Sequence, residues 1–435
     1  VDAGRLKTIL QTVLDRHDML RGALAIDDAG YRLTTRPPGA VRADEILVRI
    51  PGPASRTLAD HAVAVIDKID PFAGAMVQAL WCDAEGDGAS CLLLVVHHLA
   101  IDAVSWYVLL AALSAAWNAS ADTTVVGPPG EYTTYREWSQ LLDNRARESH
   151  LPSQRDFWLS QVAQPDPALG SRLPDPARDT WASLRINETR SDVAQTEVML
   201  RKVASAGPGI GVREFLLAAL TLTLTSWRAS RGDPTGDGIL VALEGHGRED
   251  ALFHSVDSGP GGVDTSATVG WFTNVFPVRF GAGDSPVDID TACGNHTAAL
   301  ELLQGIAEHL AAVPNGGLDY GLLRYTRRDA ALAAARHPQV EFNYLGRLDM
   351  APRFDRGSAW TLVADPELTS AIPLATEPEL PLRYTFDVIA VVQSTPAGPQ
   401  LLTNWIYSDL LTTEQEAAEL GALWRRAIAV LGEAL

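Results

Sequence analysis

The strongest constraint on what this chain can fold into lies between residues 89 and 117. A nearly continuous apolar run, Ala89 to Val96 with Ser90 its one polar residue, stops at His97-His98. After Asp102 comes Ala103 to Trp117, apolar nearly all round. The first run predicts a strand buried on both faces and the second a helix inside a core. Both need further elements to cover them, which points to a mixed α/β protein with a sizeable interior.

The rest of the chain fits that class. Residues 4–16 have helical spacing and end in Arg16-His17-Asp18; 45–50 and 76–81 read as strands and 57–69 as a helix. Residues 135–147 and 153–162 read as surface helices. Pro165 to Arg178 carries four prolines and two Asp-Pro pairs, which predicts a linker. The expected division is therefore 1–163, a linker at 164–182, and 183–435. In the last part, 212–229, 288–313 and 412–431 read as helices. Residues 238–243, 269–280, 339–345 and 386–393 read as strands, and 255–266 as a mobile loop. The elements mix without the regular alternation of a doubly wound nucleotide fold.

Composition narrows the function. At about 150 residues per domain, 435 residues suggest two large lobes or three domains. Lys+Arg number 35 against 54 Asp+Glu, and a net charge of −19 argues against wrapping nucleic acid or docking on an anionic membrane. Only Lys7, Lys68 and Lys202 are available for Schiff-base chemistry, and none has a site-like setting. Cys82, Cys91 and Cys293 form no CxxC pair, so a reducing cytoplasm is the expected home. No basic-then-apolar leader opens the sequence, and nothing argues for secretion. Neither HExxH nor GxSxG occurs, so metallohydrolase and serine-hydrolase readings are poor.

Four segments carry chemistry. His97-His98-Leu99-Ala100-Ile101-Asp102 sits where a strand ends and a helix begins, with the histidines on opposite sides. A cleft-facing imidazole is a general acid or base; the same residues also suit a structural histidine pair with Asp102 as helix N-cap. Glu244-Gly245-His246-Gly247-Arg248-Glu249 ends a second buried strand. It reads either as a proton-shuttling carboxyl in apolar surroundings or as a turn with a solvated Arg–Glu pair. Val269 to Arg279 and Phe342-Asn343-Tyr344-Leu345-Gly346 are aromatic strands by default, with Asn343 and Tyr344 as candidate donors to an oxyanion.

HHLAIDAVSW, EGHGRE, TVGWFTNVFPVRF and FNYLG, in this order, resemble the epimerization domains of nonribosomal peptide synthetases, within the condensation-domain superfamily. The segment Leu14 to Arg21 and Gly316-Gly317-Leu318-Asp319-Tyr320-Gly321 add weaker matches, and the resemblance runs from residue 6 to about 408. HHxxxD is shared across the superfamily; the other three motifs favour epimerization. Ala103 stands where the family commonly has glycine, and the family's first motif, normally ahead of residue 1, is absent, which we read as a matter of where the chain starts.

The resemblance implies two chloramphenicol-acetyltransferase-like lobes facing each other across a tunnel. It implies an aminoacyl or peptidyl thioester on the 4'-phosphopantetheine of a carrier protein, a downstream condensation domain as further partner, and no cofactor or metal of the enzyme's own. The product context would be a D-amino acid in antibiotic biosynthesis. His98 and Glu244 would be the acid–base pair, in either order. His97, Asp102, Arg248, Asn343, Tyr344 and backbone amides near the HH loop would support them. His97 is expected to face the core, and Asp102 to pair with an arginine and fix the loop. Arg324, Arg327, Arg328 and Arg336 read either as a carrier-docking patch or as a solvated helix face. Two rivals remain: a condensation domain forming a peptide bond, and a catalytically silent recruitment module.

Overall fold

A computed structural model describes all residues except 1, 29, 85–89, 120–131, 254–261, 284–285, 348–359, 361–362, 364–367, 369–371 and 373–376. Most of the expected loop at 255–266 therefore lies outside the described residues. The chain forms two compact units. Unit 1 comprises 1–142, 248–273 and 352–375; unit 2 comprises 143–247, 274–351 and 376–435. No described helix is long and apolar enough to cross a membrane.

Unit 1 contains a hairpin, β1 (Gly22–Asp27) and β2 (Gly30–Thr35), and a three-stranded sheet. The sheet has the order β3 (Leu47–Pro51), β4 (Val77–Asp83), β5 (Cys91–Val96), with β3 parallel and β5 antiparallel to β4. Strand alternation sorts β4 between two cores. Val77, Ala79 and Trp81 join Leu6, Leu10 and Leu14 of helix Ala3–Arg16 and Leu109 and Leu113 of helix Ala103–Ala119. Leu80 and Cys82 meet Ala54, Leu58 and Val65 of helix Ala54–Ile66. The sequence pointed to β5 as the fully buried strand. Central β4 takes that place, and β5, at the sheet's edge, is half-buried along its length. The buried Arg21 closes the early Leu14–Arg21 motif on itself, donating to the carbonyls of Leu14, Asp15 and Arg36 and to Asp18.

Unit 2 is built on a six-stranded mixed sheet of order β6 (Leu184–Arg190), β11 (Gly398–Ser408), β10 (Phe386–Thr395), β9 (Val340–Arg347), β7 (Ile239–Gly245), β8 (Asn274–Phe280). β9 runs parallel to both neighbours; the other pairs are antiparallel. In register across it, Leu243, Phe342, Val388 and Trp405 point to one buried face. There Trp424 of helix Glu414–Ala434 donates to Thr403 and packs edge-on against Trp405. The expected helix at 288–313 is two, Ile289–Gly294 and His296–Ala311, because Asn295 stops the first and caps the second. The expected strand at 269–280 begins only at Asn274. Gly270 uses both its N–H and its C=O on the Ser105 hydroxyl, leaving neither for a ladder.

The 164–182 stretch, read from its prolines as a linker, is packed within unit 2. Asp166 pairs with the buried Arg228 and with Arg279, and accepts from the Leu240 amide. Leu169 donates to Gln339 and accepts from Trp227. The described helix closest to it in sequence, Arg155–Val162, carries the buried Trp158.

Gly238 opens β7 with φ +69°, and a Cβ there would lie 2.3 Å from the Phe280 carbonyl oxygen. Gly238→Ala should therefore destabilise unit 2 by roughly 2–4 kcal/mol in a denaturant melt. A change below about 0.5 kcal/mol would show that the β7–β8 pair does not need this close approach.

Candidate active site

In unit 1 the end of β5 is pinned by the His97 amide donating to Met76 O at 2.9 Å. A single 3-10 turn, His98–Ala100, follows. Its amides are committed internally: Leu99 N to His97 Nδ1 at 3.1 Å, Ala100 N to His97 O and Ile101 N to His98 O. Those three amides, among the expected oxyanion donors, are therefore taken up by the turn. His97 is half-buried, and burial, then the neighbouring His98, lowers its pKa. His98 is exposed, with its ring centroid 4.5 Å from that of Trp271, tilted by 58°.

Asp102 is buried and leads the following helix by accepting from Ser105 N at 2.7 Å. Its other oxygen accepts from Phe272 N at 3.0 Å. Arg248 is the arginine beside it, at 3.5 Å. That guanidinium also donates to Thr265 O, Thr268 O and Ser105 Oγ, at 2.6, 2.9 and 2.9 Å, and lies 3.9 Å from the centre of the Phe272 ring. Tyr135 donates to Trp271 O at 2.7 Å; burial, with Asp102 adding to it, pushes its hydroxyl up to about 12. Gly270 has no room for a side chain, since a Cβ would stand 2.3 Å from Tyr135 Cδ2.

In unit 2 Glu244 is half-buried one residue before the end of β7, where the apolar run Ile239–Leu243 stops. The register Leu243↔Phe342 brings Asn343 beside it, and Asn343 Nδ2 donates to Glu244 Oε2. Asn343, expected as a donor to an oxyanion, thus gives an amide hydrogen to the Glu244 carboxylate instead. Tyr344 falls on the opposite face of β9, so the structure does not bring it to Glu244.

The face holding Glu244 also carries Glu341, opposite Ala242, and Asp387, opposite Glu341. Burial, then the charges of Asp387 and Glu244, pushes Glu341 up to about 8. Burial, then Glu244, pushes Asp387 up to about 7. Sequence reasoning missed both acids. Their signal was a carboxylate at an alternate position of an apolar strand, Val340-Glu341-Phe342 and Phe386-Asp387-Val388.

The sequence's basic run divides. Arg324 is buried and donates to Tyr320, to the Leu332 and Ala335 carbonyls and toward His337, so it is internal and offers no docking charge. Arg327 reaches the Ala146 and Glu148 carbonyls. Arg327, Arg328 and Arg336 are exposed.

A condensation-domain family profile matches residues 1–360. The chain belongs to the condensation-domain family. It is 28% identical over 436 residues to a linear gramicidin synthase polypeptide of Brevibacillus parabrevis, covering 98% of this chain and 8% of that protein. It is likewise 28% identical over 365 residues to surfactin synthase subunit 2 of Bacillus subtilis (strain 168), covering 81% and 9%. The chain thus spans less than a tenth of these relatives. Its fold matches the epimerization domain from the third module of tyrocidine synthetase B with TM-score 0.78 at 22% identity, over 100% of this chain and 90% of that one. It also matches the X-domain from teicoplanin biosynthesis, with TM-score 0.67 at 19% identity over 100% and 87%. The mixed α/β fold and the condensation superfamily expected from the motifs are borne out.

The site's electrostatics can be probed in two ways. Asp102→Ala removes a buried carboxylate beside Arg248 and a helix cap; it should cost about 3 kcal/mol or more in a denaturant melt, and a loss under about 1 kcal/mol would contradict the pairing. Glu341 and Asp387 hold in the folded chain protons that the unfolded chain releases near the ordinary values of 4.5 and 3.8. Their destabilising effect is absent below about pH 4, grows as the pH rises and is complete above about pH 8. Glu341→Gln should therefore gain melting temperature on the parent chain between about pH 5 and 8; a constant gap would rule this out.

Proposed function

We propose that this domain epimerizes the Cα of an aminoacyl or peptidyl thioester carried on the phosphopantetheine arm of a carrier protein. Glu244 carries the reading: a half-buried carboxylate at a strand end, oriented by Asn343, within a motif that peptide-bond formation does not require. The likeness to the tyrocidine synthetase epimerization domain supports it.

The thioester makes its own α-proton acidic, because sulfur donates poorly into the carbonyl. One of Glu244 and His98 removes that proton, leaving an enolate, and the other returns a proton to the opposite face. Reaction in the reverse sense exchanges their roles. A carboxylate and an exposed imidazole suit this because both change protonation without leaving their positions. His97 is the less suitable histidine: it is half-buried, and its Nδ1 accepts from Leu99 N. Asp102 and Arg248 hold the turn that presents His98 and take no part in proton transfer. The chemistry needs no resident cofactor.

A condensation activity is the second reading, favoured by the family profile itself. The two separate on one loaded carrier with no acceptor: epimerization changes stereochemistry there, and condensation cannot proceed.

Incubating an L-aminoacyl carrier with the domain in deuterated water should put deuterium at Cα and yield a D/L mixture after release. Glu244→Gln should lower both by at least about 100-fold with carrier binding retained, and His98→Ala should be far more damaging than His97→Ala. Undiminished exchange in Glu244→Gln would remove Glu244 from the mechanism.

A further inference from the structure

The Gly316–Gly321 motif takes no part in the chemistry above, yet its surroundings lead back to Glu244. The turn that opens it, Pro314–Gly317, is left-handed three times over, at Asn315 (φ 50°), Gly316 (φ 60°) and Gly317 (φ 83°). Asn315 has a side chain and is strained in that region. The conformation is held by Asp319, which is fully buried. Its carboxylate accepts from Arg145 Nε at 2.6 Å and Nη2 at 2.8 Å, from Gln154 at 2.7 Å and from Asn315 at 2.6 Å. Burial alone would push this carboxyl up; the bonds from Arg145, Asn315 and Gln154 hold it below its ordinary value.

The turn so fixed lies against the end of the β7–β8 pair. A Cβ on Gly317 would lie 2.0 Å from Phe276, the residue opposite Leu243. The Gly316 carbonyl accepts from Asn274 Nδ2 at 3.0 Å, and Asn274 is the partner of Gly245 in the last pair of the ladder. Gly245 is hemmed in by both: a Cβ there would stand 2.5 Å from Asn274 Oδ1 and 3.3 Å from Gly316 O. Asn274 Oδ1 is itself buried with no donor among the described residues, a cost the arrangement has to offset. Strand ends fray unless something closes them. Glu244 is one residue from this end.

We infer that the 314–317 turn, locked by Asp319 and joined through Asn274, is a clamp that positions Glu244 for proton transfer, with Asn274 and Asn315 as positioning residues. This rests on Glu244 being an acid–base group. A fixed carboxylate matters because proton transfer needs hydrogen-bond reach, and small displacements cost rate steeply. Loosening the clamp should therefore slow the chemistry while leaving the binding of the loaded carrier alone.

The test uses the full 435-residue chain and carriers each loaded with one L-amino acid. The carrier exchanged fastest by the parent chain serves for kinetics. Asn274→Ala should lower kcat for Cα-deuterium exchange by roughly tenfold or more, with KM within about twofold and an unchanged circular-dichroism spectrum. Unchanged kcat, or a raised KM at unchanged kcat, overturns the clamp. If Asn274→Ala does not fold, Asn315→Ala, which removes a bond to Asp319, is judged by the same two outcomes. A parent chain that exchanges on no carrier, or a Glu244→Gln variant as active as the parent, defeats the epimerase reading, and the clamp with it. A parent chain that exchanges, a dead Glu244→Gln and a fully active Asn274→Ala defeat the clamp alone.

Discussion

A buried ion pair, Asp102 with Arg248, organises everything described around the histidine turn. Taking both charges out of water is costly, and a 3.5 Å contact does not by itself offset that. What makes it tenable is the number of further bonds. Asp102 also accepts from two backbone amides; Arg248 donates to two carbonyls and a hydroxyl and lies over an aromatic ring. Three stretches far apart in sequence, 102–105, 248 and 265–272, are thereby tied together. The site's support is thus a polar network that has to form whole, because a partly satisfied one leaves a charge stranded.

Unit 2 solves the opposite problem. One face gathers three carboxyls, Glu244, Glu341 and Asp387, and burial together with like charges so close disfavours ionising all three. Two of the three are pushed toward neutrality, to about 8 and about 7. The face therefore carries less charge at neutral pH than its sequence suggests. An enolate, itself an anion, is better tolerated beside neutral acids than beside carboxylates.

The element types were largely legible because the hydrophobic pattern declares them: helix 135–147 and the strands at 239, 340 and 386 lie close to where periodicity put them. Misses arose where tertiary bonding overrides local pattern. Residues 269–273 are strand-like in composition, but Gly270 bonds a serine instead of a neighbouring strand. The 164–182 prolines suggest a free linker, but Asp166 anchors two buried arginines. β6 and β11 went unread because polar residues interrupt both, as in Asn187-Glu188-Thr189 and Thr403-Asn404. In the site, motif residues were found by their unusual company at strand ends. Glu341 and Asp387 were not, because lone acids in apolar strands look like solvent-facing positions until register sets them side by side.

The contact between Gly270 and Tyr135 reaches beyond this one chain. The phenol ring fills the volume a side chain at 270 would need, and its hydroxyl holds the next carbonyl. A methyl gained at the first position has to be matched by a smaller residue at the second. Among relatives that keep this loop, the two sites should drift as a couple, and a swap of either one alone should be the rarer event.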